Sequence, residues 1–137
     1  MPANDPAVIN RLLTLPGRWA VLGLSTNTAR PAYGVSAYLQ ALGHDIVPVH
    51  PRAETVHGAQ GYPSLADVPG RIDVVDLFVN SARVGRLIDD AIAVGARAVW
   101  LQLGVADPEA EERARAAGLD VVADACPKIE GRRRGLA

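Results

Sequence analysis

Apolar residues recur along this chain in five short, near-continuous runs, at residues 19–24, 45–49, 73–79, 98–103 and 119–123. The runs are rich in β-branched residues and scarcely alternate with polar ones. That is the pattern of parallel strands covered on both faces. Between the runs, apolar positions take a helical spacing. One helical segment spans 33–42 and closes at Gly43 as a C-terminal cap. A second spans 84–94, with Leu87, Ile88, Ala91 and Ile92 suitably spaced. A third opens at Asp107-Pro108, an N-cap followed by a first helical residue, and ends at Gly118. A leading helix is expected from Asp5-Pro6 to Leu15, and residues 64–67 read as a short capped turn. The alternation predicts an α/β fold: a Rossmann-like, doubly wound, five-stranded parallel sheet of order 3-2-1-4-5, with helices on both faces. With no repeat or linker in view, residues 1–137 are expected to form one domain.

Ligands of such sheets bind beyond the carboxyl ends of the strands, at the topological switch point. In the expected order that point lies between strands 1 and 4. The first strand end is the richest. Its apolar run passes Gly23 into a loop of small polar residues, Ser25, Thr26 and Asn27, then reaches Arg30-Pro31 and a helix. A strand, a tight turn and a helix N-terminus aim backbone N–H groups and a positive dipole end at one point, which suits a phosphate. The same residues also suit a capped turn that holds no ligand. Neither the G-x-G-x-x-G fingerprint nor the Gly-Lys-Ser/Thr ending of a P-loop is present. The second strand runs into His50-Pro51-Arg52. An NAD enzyme would place an acid there for the ribose hydroxyls, whereas Arg52 suits a ribose phosphate. His50 is either a plain loop residue or a ligand contact.

Composition narrows the picture further. Of the 137 residues, 49% are hydrophobic, enough for a real core. A net charge of -1 gives no global field for nucleic acid or membrane. No apolar run approaches the roughly 18 residues of a membrane span, and residues 1–6 lack the pattern of a secretory signal, so a cytoplasmic protein is expected. The lone Cys126 leaves no internal disulfide and no cysteine-rich zinc site. The sequence places no acid–base partner near His44, His50 or His57 and shows no metal-ligand spacing, so no catalytic or metal residue is assigned. His44 follows a helix cap and is expected to be solvated. Asp73, Asp76, Asp89 and Asp90 are read as structural; adjacent helical residues such as Asp89 and Asp90 cannot face one point. Residues 132–134 are three arginines, read as a solvated terminus too short to indicate nucleic-acid binding.

Six motifs taken together are more specific. They are Gly-x-Ser-x-Asn-x-x-Arg-Pro at 23–31, Val-x-Pro-Arg at 49–52, Tyr-Pro-Ser-Leu-Ala-Asp at 62–67, Asp-Val-Val-Asp-Leu-Phe at 73–78, Ala-Val-Trp-Leu-Gln-Leu-Gly-Val at 98–105 and Asp-x-Cys-x-Lys-Ile-Glu at 124–130. The set resembles the small single-domain CoA-binding proteins, which are similar to the CoA-binding domain of the succinyl-CoA synthetase α subunit. The likeness covers about residues 18–130. It implies a Rossmann-like fold and a CoA site along the strand ends. Carried over by position, Gly23, Ser25, Thr26 and Asn27 would meet the phosphates, with Arg30 approaching the same anionic region. Arg52 stands where the family usually has a lysine and would contact the adenosine end, beside His50 in place of an asparagine. Phe78, Val79 and Asn80 match the segment along the nucleotide or pantetheine arm, and Gln102, Leu103 and Gly104 match the loop beside it.

Some positions depart from the family. Leu24 replaces the alanine common after the first glycine. Asn80-Ser81 stands where an arginine often follows, so a phosphate contact is either lost or moved to Arg83. Cys126 is either an inert loop residue or a thiol near the CoA sulfur, able to form a mixed disulfide with it. The likeness stops before the synthetase domain that carries a phosphorylated histidine. The function implied is therefore non-enzymatic binding of CoA or a CoA thioester. The alternative is a non-catalytic or partner-dependent component of an acyl-CoA synthetase-type enzyme. An NAD-dependent oxidoreductase is disfavoured by the missing acid and glycine fingerprint, and no protein partner is indicated.

Overall fold

The computed structural model describes residues 4–137; residues 1–3, the start of the segment read for a secretory signal, lie outside them. One sheet contains five parallel strands, β1 (Arg18–Leu22), β2 (Asp45–Val49), β3 (Val74–Leu77), β4 (Ala98–Leu101) and β5 (Asp120–Val122). The helices are α1 (Pro6–Thr14), α2 (Pro31–Ala41), α3 (Ser81–Ala93), α4 (Pro108–Ala116) and α5 (Pro127–Arg133), with a 3₁₀ turn at Leu65–Asp67 between β2 and β3. The Rossmann-like α/β class expected from the apolar runs is the one observed. None of the helices in the described residues is long and apolar enough to cross a membrane.

The strand order is a correction. It is β2-β1-β3-β4-β5, not 3-2-1-4-5. β3 lies inside the sheet, with Asp76 registered between Val21 of β1 and Trp100 of β4. All four β3 residues are buried, as an internal strand requires. β2 takes the edge instead, and Pro48 gives the reason. Proline has no N–H to donate, so it fits an edge strand. In the 3-2-1 order β2 would need ladders on both sides. Here it pairs fully with β1 alone and meets only a single bridge, Val49 to Tyr62, on its outer side. The switch point therefore falls between β1 and β3.

Each face of the sheet is sealed by its own layer. Ala20, Leu22, Val75, Leu77, Val99 and Leu101 pack with Val84 and Ile88 of α3 and Ala110 and Ala114 of α4. Trp19, Val21, Val74 and Trp100 pack on the other side with Ile9 and Leu13 of α1 and Val35 and Leu39 of α2. On that second side the Trp19 and Trp100 rings lie tilted with centroids 5.6 Å apart. α5 closes over α1 and α2 and was not expected from the sequence. It is short, and Gly131 at its middle weakens the helical signal. That glycine is required by packing, because a Cβ there would run into the ring of Tyr38. Of the three arginines at 132–134, Arg132 and Arg133 are exposed as expected, whereas Arg134 is half-buried; Arg133 and Arg134 both pair with Glu130.

His44 is buried, not solvated, with 4% of its surface exposed. Its Nδ1 accepts from the Gly17 N–H at 3.1 Å, so the ring proton sits on Nε2, which donates to the Leu13 carbonyl at 2.9 Å. The imidazole thus fastens the end of α1 to the entry of β1. Burial holds its pKa below the ordinary value, outweighing the hydrogen bond to Leu13 and the charge of Asp45. Protonating Nδ1 would also remove the acceptor for Gly17. Below about pH 6.5 the unfolded chain therefore binds more protons at this site than the folded one. The stability His44 contributes is complete above that pH and is lost as pH falls through the lowered folded value. Denaturation at pH 7 and pH 5 should show a smaller acid-induced loss for His44→Gln than for wild type. Equal losses in the two proteins would show that His44 does not titrate in this way.

Candidate functional site

A cleft of about 1050 Å³ opens at the carboxyl ends of the strands, across the β1–β3 switch point. The β1–α2 loop contributes Gly23, Ser25 and Arg30, and the end of β2 contributes His50 and Pro51. Phe78, Val79 and Asn80 follow β3, Gln102 and Leu103 follow β4, and Cys126 lies beyond β5. Residues drawn from five separate segments of sequence thus meet around one space. Thr26, Asn27, Arg52 and Gly104 are outside that lining, for reasons visible in their contacts.

Gly23 has φ +95, and a Cβ there would run into the carbonyl oxygen of Phe78. Its N–H donates to Val49 at 2.8 Å. The glycine is thus required by the protein's own backbone, where the ends of β1 and β3 come together. The loop beyond it is tied internally. Ser25 Oγ accepts from the Asn27 N–H at 3.2 Å, and Asn27 Oδ1 accepts from the Ala29 N–H at 3.0 Å. The N–H and hydroxyl of Thr26 donate to Glu54 at 3.3 and 3.0 Å. These donors hold the Glu54 carboxyl below its usual pKa. An acid does therefore stand near the end of β2, but it is turned onto Thr26. No linear spacing signals that loop-to-loop contact.

The N-terminus of α2 is open to the cleft. Asp5, Asn80 and Asp107 cap α1, α3 and α4 through their side chains. Arg30, at the same position of α2, makes no such bond, and the first turn holds no acid. Pro31 and Ala32 of that turn line the cleft. Pro31 has no N–H and the Tyr33 N–H donates to the Arg30 carbonyl at 3.1 Å, so what this uncapped turn offers the cleft is chiefly the positive end of the helix dipole. Arg83 and Arg86 of α3 join Arg30 in the lining. Arg86 was missed in the sequence, although its i, i+3 relation to Arg83 places both on one helix face. Asp90 also lines the cleft, while Asp89 turns away and pairs with Arg113 at 3.0 Å. The expectation that these two acids diverge is met.

The other candidates are engaged elsewhere. His50 Nδ1 accepts from the Arg52 N–H at 3.2 Å, and the Arg52 side chain stays exposed. The Gly104 N–H donates to Asp124 at 2.8 Å, which turns this residue toward the β5–α5 loop. His57 donates through Nε2 to the Tyr33 carbonyl at 2.8 Å. No group of three His, Cys, Asp or Glu side chains among the described residues could hold a metal ion.

With this geometry in place, comparison with known proteins is direct. The family described as the CoA binding domain matches residues 17–132, and the chain belongs to that family. The uncharacterised Bacillus subtilis protein YneT is 31% identical over 94% of this chain and 96% of its own length. A solved structure of a hypothetical protein from Pyrococcus horikoshii OT3 superposes with a TM-score of 0.88 at 38% identity, covering 94% of this chain and 91% of its own. A dinucleotide-forming acetyl-coenzyme A synthetase from Ca. Korarchaeum cryptofilum, in complex with phosphate and ADP, gives a TM-score of 0.71 at 26% identity. That match spans 82% of this chain but 26% of the synthetase.

Asp76 is one of the four acids read from the sequence as structural. It is fully buried in β3, and its Oδ1 accepts from Gln102 Nε2 at 2.6 Å. Its Oδ2 is sealed from solvent with no partner. Desolvation raises its pKa to about 7, against the opposing hydrogen bond from Gln102 and the backbone N–H of Leu77. The folded chain thus keeps a proton through a range where the unfolded chain releases it. Stability linked to Asp76 is full below about pH 4 and is lost as pH rises through about 7. Asp76→Asn cannot ionise and should be more stable than wild type at pH 8 by about 2–4 kcal/mol, with the difference fading toward pH 4. A pH-independent difference between the two proteins would show that Asp76 does not ionise in the fold.

Proposed function

We propose that the cleft binds coenzyme A or a CoA thioester, with the diphosphate at the β1–α2 loop, and that the protein performs no chemistry on the ligand by itself. The observation that carries this reading is the uncapped N-terminus of α2, facing a cleft lined by Arg30, Arg83 and Arg86. The positive end of a helix dipole and guanidinium groups at one place suit a ligand with several phosphate charges. Membership of the CoA-binding domain family supports CoA as that ligand. In this pose the adenosine end lies toward His50 and Arg52, and the pantetheine arm runs past residues 78–80 and Gln102 toward Cys126. The titratable groups in the lining other than arginines are His50, Asp90 and Cys126. His50 is bonded through Nδ1 to a backbone N–H, with no carboxylate to orient it as a base. That favours binding over turnover.

A second reading has one observation behind it. The chain superposes on about a quarter of an acetyl-coenzyme A synthetase, so the same domain also occurs within a larger enzyme. A partner protein could then supply chemistry that the cleft lacks. Steady release of free CoA from acetyl-CoA by the pure protein would overturn the non-enzymatic reading. Release only on addition of a partner would favour the second.

The ligand is tested by thermal shift. CoA at about 100 times its dissociation constant should add about 2.7 kcal/mol of stability and raise Tm by several degrees, while NAD leaves Tm unchanged. A larger shift with NAD would overturn the assignment. Arg30→Ala and Arg83→Ala should each weaken CoA binding by about 1.5–3 kcal/mol, the worth of a hydrogen bond to a charged group. Arg52→Ala should weaken CoA binding but leave dephospho-CoA unaffected if Arg52 meets the 3′-phosphate. Equal losses for both ligands by calorimetry would place Arg52 elsewhere.

A further inference from the structure

We propose that Asp76 is a positioning residue that orients the Gln102 amide, so that Gln102 presents its carbonyl oxygen to the cleft and selects a ligand arm bearing amide N–H groups. Asp76 lies on β3 and Gln102 follows β4, and these strands are neighbours in the sheet. Gln102 donates from Nε2 to Asp76 Oδ1 at 2.6 Å, in a region closed to solvent. Once ionised, above about pH 7, Asp76 can only accept, which fixes the amide with its NH₂ group inward. Gln102 Oε1 has no hydrogen-bond partner among the described residues and is not one of the sealed, unpartnered atoms. It is therefore the polar atom that Gln102 shows to the cleft it lines.

The surroundings give this orientation its value. Leu103, Val79 and Phe78 make that part of the lining largely apolar. A single acceptor among apolar side chains discriminates by hydrogen bonding, because an unmatched polar group there loses its solvent without a replacement. The arginines and the α2 N-terminus offer donors only. Gln102 is thus suited to a different part of the ligand than the phosphates. On the CoA reading, on which this inference rests, that part is the pantetheine arm with its two amide groups. An NH₂ group turned outward would meet those N–H groups donor to donor. One oxygen of the buried carboxyl is sealed without a hydrogen-bond partner, and the other is the acceptor on which the orientation of Gln102 depends.

The test compares two ligands by calorimetry at pH 8, where Asp76 is ionised: CoA, and 3′,5′-ADP, which lacks the pantetheine arm. Gln102→Leu and Asp76→Leu should each lower CoA affinity about tenfold, with 3′,5′-ADP affinity unchanged within twofold. Asp76→Asn keeps an acceptor oxygen for Gln102 and should retain CoA affinity within about twofold to threefold. The Asp76→Leu and Gln102→Leu losses should not add in the double variant, because both remove one oriented acceptor. A wild-type-like CoA affinity in Gln102→Leu overturns the inference, and this variant sits at the cleft edge, so it remains informative if Asp76→Leu does not fold. Parallel losses for CoA and 3′,5′-ADP in Asp76→Leu also overturn it, by showing a merely structural role. Wild type that binds neither ligand overturns the CoA reading itself. Wild type that binds both, with no dependence on residues 76 and 102, overturns only the role given to the pair.

Discussion

At the switch point the backbones of β1 and β3 come so close that no side-chain atom fits at Gly23. The φ of +95 at Gly23 turns the chain out of the sheet there, while its N–H stays bonded to the end of β2. Three strand ends are thereby locked in one plane. Where α2 begins decides where the positive end of its uncapped dipole points. The cleft is therefore a consequence of strand geometry, and its polar character follows from what the sheet excludes. Both faces are covered by helices and sealed by apolar side chains, so polar groups emerge in quantity only at the strand ends.

The charge around the cleft is uneven in a useful way. Arg30 comes from the first loop and Arg83 and Arg86 from α3, so positive groups approach from two sides. The acids near the site are held back. Glu54 is bound to Thr26, and Asp89 is drawn off to Arg113. Asp124 is committed to the Gly104 N–H. Asp90 alone among these acids faces the space. Internal pairing thus removes much of the repulsion that a multiply charged anion would otherwise meet, and it does so with contacts that also fix the loops.

The apolar runs made the five strands and their parallel class legible, since a strand buried on both faces leaves a plain mark in sequence. Helix caps at Asp5 and Asp107 were equally plain. Strand order was not, because no pattern within a strand names its neighbours. Pro48 was the usable signal, since a residue without an N–H disfavours an internal position. The misplaced order had a consequence for the site. With strand 3 at the edge, strands 3 and 4 are not neighbours, and Asp76 cannot reach Gln102. Placing β3 beside β4 brings the two together. His44 failed for a different reason: the residues that bury it belong to α1 and β1, distant in sequence. Arg86 needed only the helix register. Glu54 needed a loop-to-loop contact that sequence spacing does not encode.

Asp76 shows where stability and function pull apart. An apolar side chain of similar size would suit its position between Val21 and Trp100, with no desolvated carboxyl to accommodate. The fold tolerates the acid because its other strands and both covering layers are apolar and well packed, leaving enough margin for one poorly satisfied group. Removing it would not leave a neutral core, however. Gln102 would lose the acceptor that holds its NH₂ group, and a nearly buried amide would be free to turn. The order of a cleft-lining amide and a desolvated carboxyl in the middle of β3 are then two ends of one hydrogen bond. A ligand that accepts the order would also feel the state of the buried acid, since both meet at Gln102.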